Sequence, residues 1–300
     1  MLTIDDFKPI TLDDKPLFDK HYEHYPPVHS DNVFTTLISW IEYSKYKYAF
    51  IDGNLIICSQ IKNQFQLRPP SGKRNKELFD QVFKLAKEHG SDFPVAVIDS
   101  DTKDWLLQNY KKLEIIPKRE YFDYVYLASG LADLPGSAYG KIRNRLNKFK
   151  RYYSFSVEDI TKDNMNEVQE FLKRWCLWRD CESDPLLENE RKAILFSMDH
   201  FFDLRLSGIA IRIDNAIESI AVFEAMNKDT AIVHYEKGSP DFDGIYKAIN
   251  QETAKILQKD FKFINRESDM DIPGLRKSKL SYKPPHMIEF FNINKESISF

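Results

Sequence analysis

The sequence predicts an α+β chain of two successive lobes, each a mixed, mostly antiparallel sheet flanked by helices. Three observations carry that expectation. At 300 residues the chain exceeds the size at which single hydrophobic cores stop growing, roughly 250. Its β-rich runs are joined by tight-turn residues, which is how antiparallel hairpins are made. The order hairpin, helix, strand, helix, strand then occurs twice along the chain, without visible sequence identity between the copies.

In the first copy, residues 34–43 read as a helix, and YKYAFIDGNLIICSQ reads as two strands turning at Asp52-Gly53-Asn54. Residues 75–89 predict a helix with Leu78, Val82, Phe83 and Leu85 on its buried side and Gly90 as its stop. PVAVIDS reads as a buried strand. Asp101 or Thr102 caps a short helix through Tyr110, and LEIIP and YFDYVYLAS close the lobe as strands. In the second copy IAIRID, AIESIAVFEAM and TAIVHYEKG make three strands. Turns fall at Asp214-Asn215 and Asn227-Lys228-Asp229. Residues 244–258 follow as a helix, FKFINRES as a strand, IPGLRKSKLSY as a short helix and HMIEFFNIN as a final strand. This is the element order of the GNAT (acyl-CoA N-acyltransferase) fold. The expected lobes are residues 1–128 and 129–300.

Composition narrows the classes further. A hydrophobic share of 42% with 22 Phe and 15 Tyr excludes disorder. No run reaches the ~18 apolar residues of a spanning helix, and the acidic start does not read as a secretory signal, so a cytoplasmic location is expected. Cys58, Cys176 and Cys181 match no zinc or disulfide spacing, and no H-E-x-x-H or C-x-x-C occurs, so no metal is expected. His24, His29 and His234 stand apart from any metal-like spacing. There is also no G-x-S-x-G elbow or P-loop. Phe171, Trp175 and Trp178 share a helical face and read as core.

Net charge is -3, yet residues 141–151, KIRNRLNKFKR, hold six basic residues and no acid. Ile142, Leu146, Phe149 and Tyr153 fall at helical spacing there, so Arg143, Arg145, Lys148 and Arg151 share the opposite face. That stripe reads either as a solvated face or as a contact for tRNA phosphate.

Two passages resemble one family: YLASGLADLPGSAYGKIRNRLNKFKRYY (126–153) and FINRESDMDIPGLRKSKLSYKPPHMIEFF (263–291), joined by HYEKGSPDFDGIYKAINQETAKIL. Together they are similar to the C-terminal domain of phosphatidylglycerol lysyltransferases, relatives of the Fem-type transferases. The resemblance covers residues 120–292. It implies a tandem pair of GNAT lobes that moves an acyl or aminoacyl group to an amine or hydroxyl acceptor, small or lipid-like. The donor it implies is aminoacyl-tRNA, acyl-CoA being the alternative, with no tightly bound cofactor. A catalytically silent module binding nucleotide or RNA is the third reading, and oligomeric state is not legible.

Two segments are candidates for the chemistry. Lys237, Gly238, Gly244 and Tyr246 stand where a strand passes into a helix whose first N–H groups favour phosphate. Glu267 and Asp269 follow a strand end, where a carboxylate is placed to deprotonate an acceptor, with Tyr282 as acid to the leaving oxygen. Arg276 and Lys279 are the donor-binding cations beside them. The same acids and bases read equally well as a network fastening the last helix.

Overall fold

The computed structural model describes residues 1–62, 64–181 and 184–299. The chain divides into two compact units, Met1–Asp123 with Ile288–Phe300, and Tyr124–Met287.

The first unit opens with β1 (Lys8–Pro9), α1 (Lys15–Tyr22), α2 (Phe34–Ser39) and α3 (Ile41–Ser44). The helix expected over 34–43 is thus broken at Trp40, whose backbone leaves the helical region. Next come β2 (Lys47–Ile51), β3 (Asn54–Ile61), β4 (Gln64–Leu67), α4 (Lys76–His89), β5 (Val95–Ile98), α5 (Ser100–Asn109) and β6 (Ile115–Pro117). Asp52 and Gly53, at φ +49° and +76°, make the two-residue turn whose twist matches its strands. The Asn75 side chain accepts from the Leu78 N–H at 3.3 Å and caps α4, which buries Leu78, Val82, Phe83 and Leu85. The cap of α5 is Asp99, not Asp101 or Thr102: its carboxylate takes the Thr102 N–H at 2.7 Å.

The second unit holds β7 (Asp123–Leu127), α6 (Ala128–Asp133), α7 (Gly140–Tyr152), β8 (Phe155–Asp159), α8 (Met165–Arg179) and α9 (Pro185–Asp199). β9 (Ser207–Ile213), β10 (Ala216–Ala225), β11 (Thr230–Gly238), α10 (Ile245–Leu257), β12 (Phe263–Asn265), α11 (Pro273–Ser281) and β13 (His286–Ile288) complete it. The last strand of the chain is β14 (Phe291–Ile293). The core of the second unit is aromatic and β-branched, with Tyr124, Tyr126, Phe149, Ile211 and Ile249 all buried. On α8, Phe171 and Trp175 are buried as expected of their shared face, while Trp178 at the helix end is 39% exposed.

Among the described residues the strands form two seven-stranded sheets, ordered β1-β2-β3-β4-β5-β14-β6 and β13-β7-β12-β11-β10-β9-β8. The expected division at 128/129 therefore needs correction at both ends. β7 pairs antiparallel with β12 in the second sheet, and β14 lies in the first, antiparallel to both β5 and β6. The single strand expected over 286–294 is two strands in different sheets. Alternating apolar residues mark a strand but not the sheet it joins; that depends on which edge offers free N–H and C=O groups.

Candidate functional site

The parallel strands β11 and β12 pair only over Thr230↔Phe263, Ala231↔Ile264 and Ile232↔Asn265. Beyond that point β11 continues six residues to Gly238, held on its other edge by β10. The chain after β12 leans away to β7, where the Arg266 N–H donates to the Tyr124 carbonyl and the Tyr124 N–H to that of Glu267. The two strands consequently splay, at the C-terminal edge where sheets of this kind place ligands. A β-bulge sits at the mouth of the splay. Val222 faces Tyr235 and Phe223 faces Val233, so His234 is the extra residue and its side chain is re-aimed.

His234 is enclosed between two carboxylates, with Nε2 2.9 Å from Glu224 and Nδ1 3.1 Å from Glu267. Burial pushes its pKa down, but the two carboxylates outweigh burial and hold it up at about 9, so both ring nitrogens donate at neutral pH. Glu267 is fixed in a left-handed conformation, φ +56°. Its N–H donates to Asn265 Oδ1 at 2.7 Å, and its carbonyl accepts from Lys279 Nζ at 3.0 Å. Two residues along β11 on the same face, Glu236 pairs with the Arg266 guanidinium and accepts from Asn250 Nδ2 at 3.0 Å. Arg266 lies over the rings of Tyr126 and Tyr282, and Lys247 Nζ stands 4.7 Å from the Tyr282 ring centre. Burial, then the nearby Arg266 charge, lower the Lys247 pKa to about 8. Burial raises that of the Tyr282 phenol, so its proton stays on at any physiological pH.

Of the residues expected to carry chemistry, Glu267 and Tyr282 are in the splay. Asp269 is not suited to be a base. It is fully buried and bound by Arg276 through two hydrogen bonds, by the Tyr124 hydroxyl at 2.5 Å and by the Asp271 N–H. Burial opposes its ionisation, but these partners hold its carboxyl at about 2. Asp269 and Arg276 fasten α11, and the Lys279 ammonium is spent on the Arg266 and Glu267 carbonyls.

At the strand-to-helix junction two of the first-turn donors are already used. The Ile245 and Lys247 N–H groups at the start of α10 are bonded to the Phe242 and Gly244 carbonyls. Gly238 and Gly244 serve packing: a Cβ would lie 2.8 Å from Ile245 Cγ2 in the first case and 3.0 Å from Phe149 Cβ in the second. Lys237 turns the other way, to Glu190 at 2.7 Å and the Trp175 ring, and the Tyr246 hydroxyl takes the Trp175 N–H at 3.2 Å. On α7, Arg143 is folded onto the Leu134 and Gly136 carbonyls, and Arg145 and Lys148 converge on Asp243. Arg151 is exposed. Much of the expected cationic stripe is thereby neutralised within the unit.

Sequence reasoning passed over Glu224, Glu236 and Asn250, and set His234 aside as an isolated histidine. One signal was available: His234 and Glu236 alternate along a strand, which places two polar groups on one face of an otherwise apolar run. A separate cavity of about 290 Å³, lined by Leu172, Trp175, Cys176 and Ile194, lies between α8 and α9 and includes none of the splay residues.

Two mixed sheets flanked by helices, the second with a splayed parallel pair beside a helix, define an α+β protein of two lobes. Residues 22–293 match the family described as phosphatidylglycerol lysyltransferase, C-terminal, and the chain belongs to that family. A conserved protein of unknown function from Bacteroides thetaiotaomicron has the same fold, with a TM-score of 0.88 at 29% identity over 96% of this chain and 98% of that one. The C-terminal domain of a putative lysylphosphatidylglycerol synthetase from Agrobacterium fabrum superposes with a TM-score of 0.63 at 13% identity, over 87% of this chain and 88% of that one. FemX superposes at 0.58 and 11% over 95% and 96%. An uncharacterised protein of Mycoplasmoides gallisepticum is 24% identical over 62% of this chain, and the match spans 59% of that protein's length. At the general level, the family supports an acyl- or aminoacyltransferase. Among the described residues no helix is long and apolar enough to cross a membrane.

Proposed function

We propose that the chain moves an aminoacyl or acyl group from an activated ester to an amine or hydroxyl acceptor, and that the reaction takes place in the splay between β11 and β12. The observation that carries this reading is the chemistry of the gap. A pair of diverging strands exposes Glu267, held by His234, within the same cluster as Lys247, Arg266 and Tyr282. An aminoacyl ester is favoured over acyl-CoA because the Ile245 and Lys247 N–H groups at the start of α10 are already bonded internally, which leaves fewer donors there for a pyrophosphate. The family's described activity, lysyl transfer to phosphatidylglycerol, is consistent with a hydroxyl acceptor of lipid-like character.

In this mechanism the acceptor N–H or O–H loses its proton to the Glu267 carboxylate as its heteroatom bonds to the donor carbonyl carbon. The ester C–O bond then breaks, and the leaving oxygen takes that proton back from Glu267. His234 orients the carboxylate through its Nδ1–H. The nearby cations and the Tyr282 hydroxyl stabilise the negative charge that develops on the carbonyl oxygen. Glu267→Gln keeps the shape and removes the base, so transfer measured with aminoacyl-tRNA and a panel of amine and hydroxyl acceptors falls about 10²- to 10⁴-fold. Full activity in that variant ends the assignment.

A further inference from the structure

Each sheet ends in two edge strands, and three of the four are blunted. β1 is two residues long and includes Pro9, β6 is three and ends on Pro117, and β13, also three, follows Pro284 and Pro285. Short edges and prolines are devices that keep stray strands from pairing. β8 differs: it runs for five residues, Phe155–Asp159, with no proline and no lysine. Its inner side pairs with β9 along its whole length, from Phe155↔Ile213 to Asp159↔Ile209. The Ile160 N–H donates to the Gly208 carbonyl at 2.8 Å, and antiparallel ladders alternate, so Glu158 and Ser156 also turn their backbone groups toward β9. The N–H and C=O groups of Phe155, Val157 and Asp159 therefore point outward. Among the described residues the Asp159 carbonyl is the one of these that meets a partner, Asn164 Nδ2 at 2.8 Å. Ser156, Val157 and Asp159 are exposed, Val157 by 38%, so the chain itself does not cover this edge.

We propose that β8 pairs antiparallel with β8 of a second copy of this chain, about a twofold axis through Val157, and so joins the two β8-edged sheets into one. In that register the Val157 N–H and C=O bond to the C=O and N–H of the same residue in the other copy, and the Asp159 N–H reaches the Phe155 carbonyl. A self-complementary pairing of this kind closes on itself and leaves neither β8 edge open. The side chains select both this occupant and this register. Val157 meets Val157, Glu158 lies opposite Ser156 and Asp159 opposite Phe155, so no carboxylate faces another. Moving the axis to Asp159 would set two carboxylates against each other, and a parallel pairing in register would do the same. Within its own chain Glu158 is already neutralised by Arg212 at 2.8 Å, and Phe155 anchors the strand against the Phe149 ring, with centroids 5.2 Å apart.

β9 and β10 stand between β8 and the gap at β11, so the proposal goes beyond the transfer reading and does not depend on it. Sedimentation equilibrium of the whole chain over rising concentration should show a reversible doubling of mass. Val157→Lys, at an exposed position, sets two like charges across the axis and should weaken the dimer about 10- to 100-fold. Val157→Pro removes an outward N–H that the ladder to β9 does not use, and should abolish the pairing. Residue-resolved hydrogen exchange supplies the register. The Val157 and Asp159 amides should slow as concentration rises, while those of Ser156 and Glu158, already bonded to β9, keep their rates. Thermal unfolding of both variants in dilute solution should match the unchanged protein, which separates lost pairing from lost folding.

The proposal is overturned if the unchanged chain stays monomeric at every concentration, which would leave the edge to a strand from another protein. It is overturned equally if Val157→Lys dimerises as tightly as the unchanged chain, or if the Val157 and Asp159 amides gain no protection in the dimer. Because the readouts are mass and exchange and not turnover, failure of the Glu267 test leaves this result standing, and the reverse holds as well.

Discussion

The two units run the same local programme and reach different chemical ends. In the first, the antiparallel strands β2, β3 and β4 lead through α4 to β5; in the second, β9, β10 and β11 lead through α10 to β12. Both helix-linked pairs are parallel and short, with the single register Leu67↔Val95 in the first and three registers in the second. The units diverge where the parallel pairing ends. After Leu67 the first unit enters Arg68-Pro69-Pro70, and the N–H groups of Arg68 and Ser71 fold back onto the Ile57 and Leu55 carbonyls of β3. Its buried cation, Arg68, is consumed by the Asp31 carbonyl and the Asn32 side chain. β11 instead runs on for six residues, bulged at His234, and presents alternate polar side chains to a gap. One topology thus yields a closed structural lobe or an open chemical one, according to how far a central strand outruns its parallel neighbour.

The largest effect expected from this contrast is on the second unit's charge pair. Glu236→Ala leaves Arg266 uncompensated in a largely buried site and should cost about 3–5 kcal/mol by denaturant unfolding. A loss below ~1 kcal/mol would mean that the splay is wetter than its geometry implies. In the first unit Arg68→Met removes the cation from neutral acceptors only, so the same measurement should show the smaller figure of about 1–3 kcal/mol. Equal losses would erase the distinction drawn between the lobes.

A pH titration gives a third comparison. The folded pKa of His234, about 9, lies above the ~6.5 of an unfolded histidine, so its stabilisation is complete below the lower value. It is lost as pH rises through the upper one. Thermal unfolding between these limits should fall with pH in the unchanged protein and much less in His234→Gln; identical slopes would mean that the imidazolium adds nothing to stability. The smallest effect belongs to the surface. Asp243 is exposed where it meets Arg145 and Lys148, so Asp243→Asn changes stability by at most ~1 kcal/mol. It frees two cations, and tRNA binding should gain a salt dependence steeper by about one to two. An unchanged slope would mean that α7 does not meet nucleic acid.

Legibility in the sequence tracked the range of the interaction. Asp52-Gly53 and Asp214-Asn215 announced their turns because positive φ is a property of one or two residues, and both pairs adopt it. Asn75 and Gly90 bounded α4, and Ile142, Leu146 and Phe149 did bury one face of α7. Glu267 and Tyr282 were read as candidates from the segment that carries the family resemblance. Asp269 was read there too, but its burial under Arg276 and Tyr124 was not legible, since a buried and an exposed aspartate are spelled alike.

By itself, then, the amino-acid sequence determined the alternation of strands and helices, the tight turns, the aromatic core and the family, all of which rest on residue type and spacing within one element. The tertiary structure decided which sheet took β7 and which took β14, whether the basic stripe kept its charge, and which side chains met in the splay. Those outcomes turn on long-range register. A one-residue bulge at His234 and a parallel pairing that ends at Ile232 and Asn265 bring Glu224, Glu236, Lys247, Asn250 and Arg266 into one cluster, and no local preference encodes either.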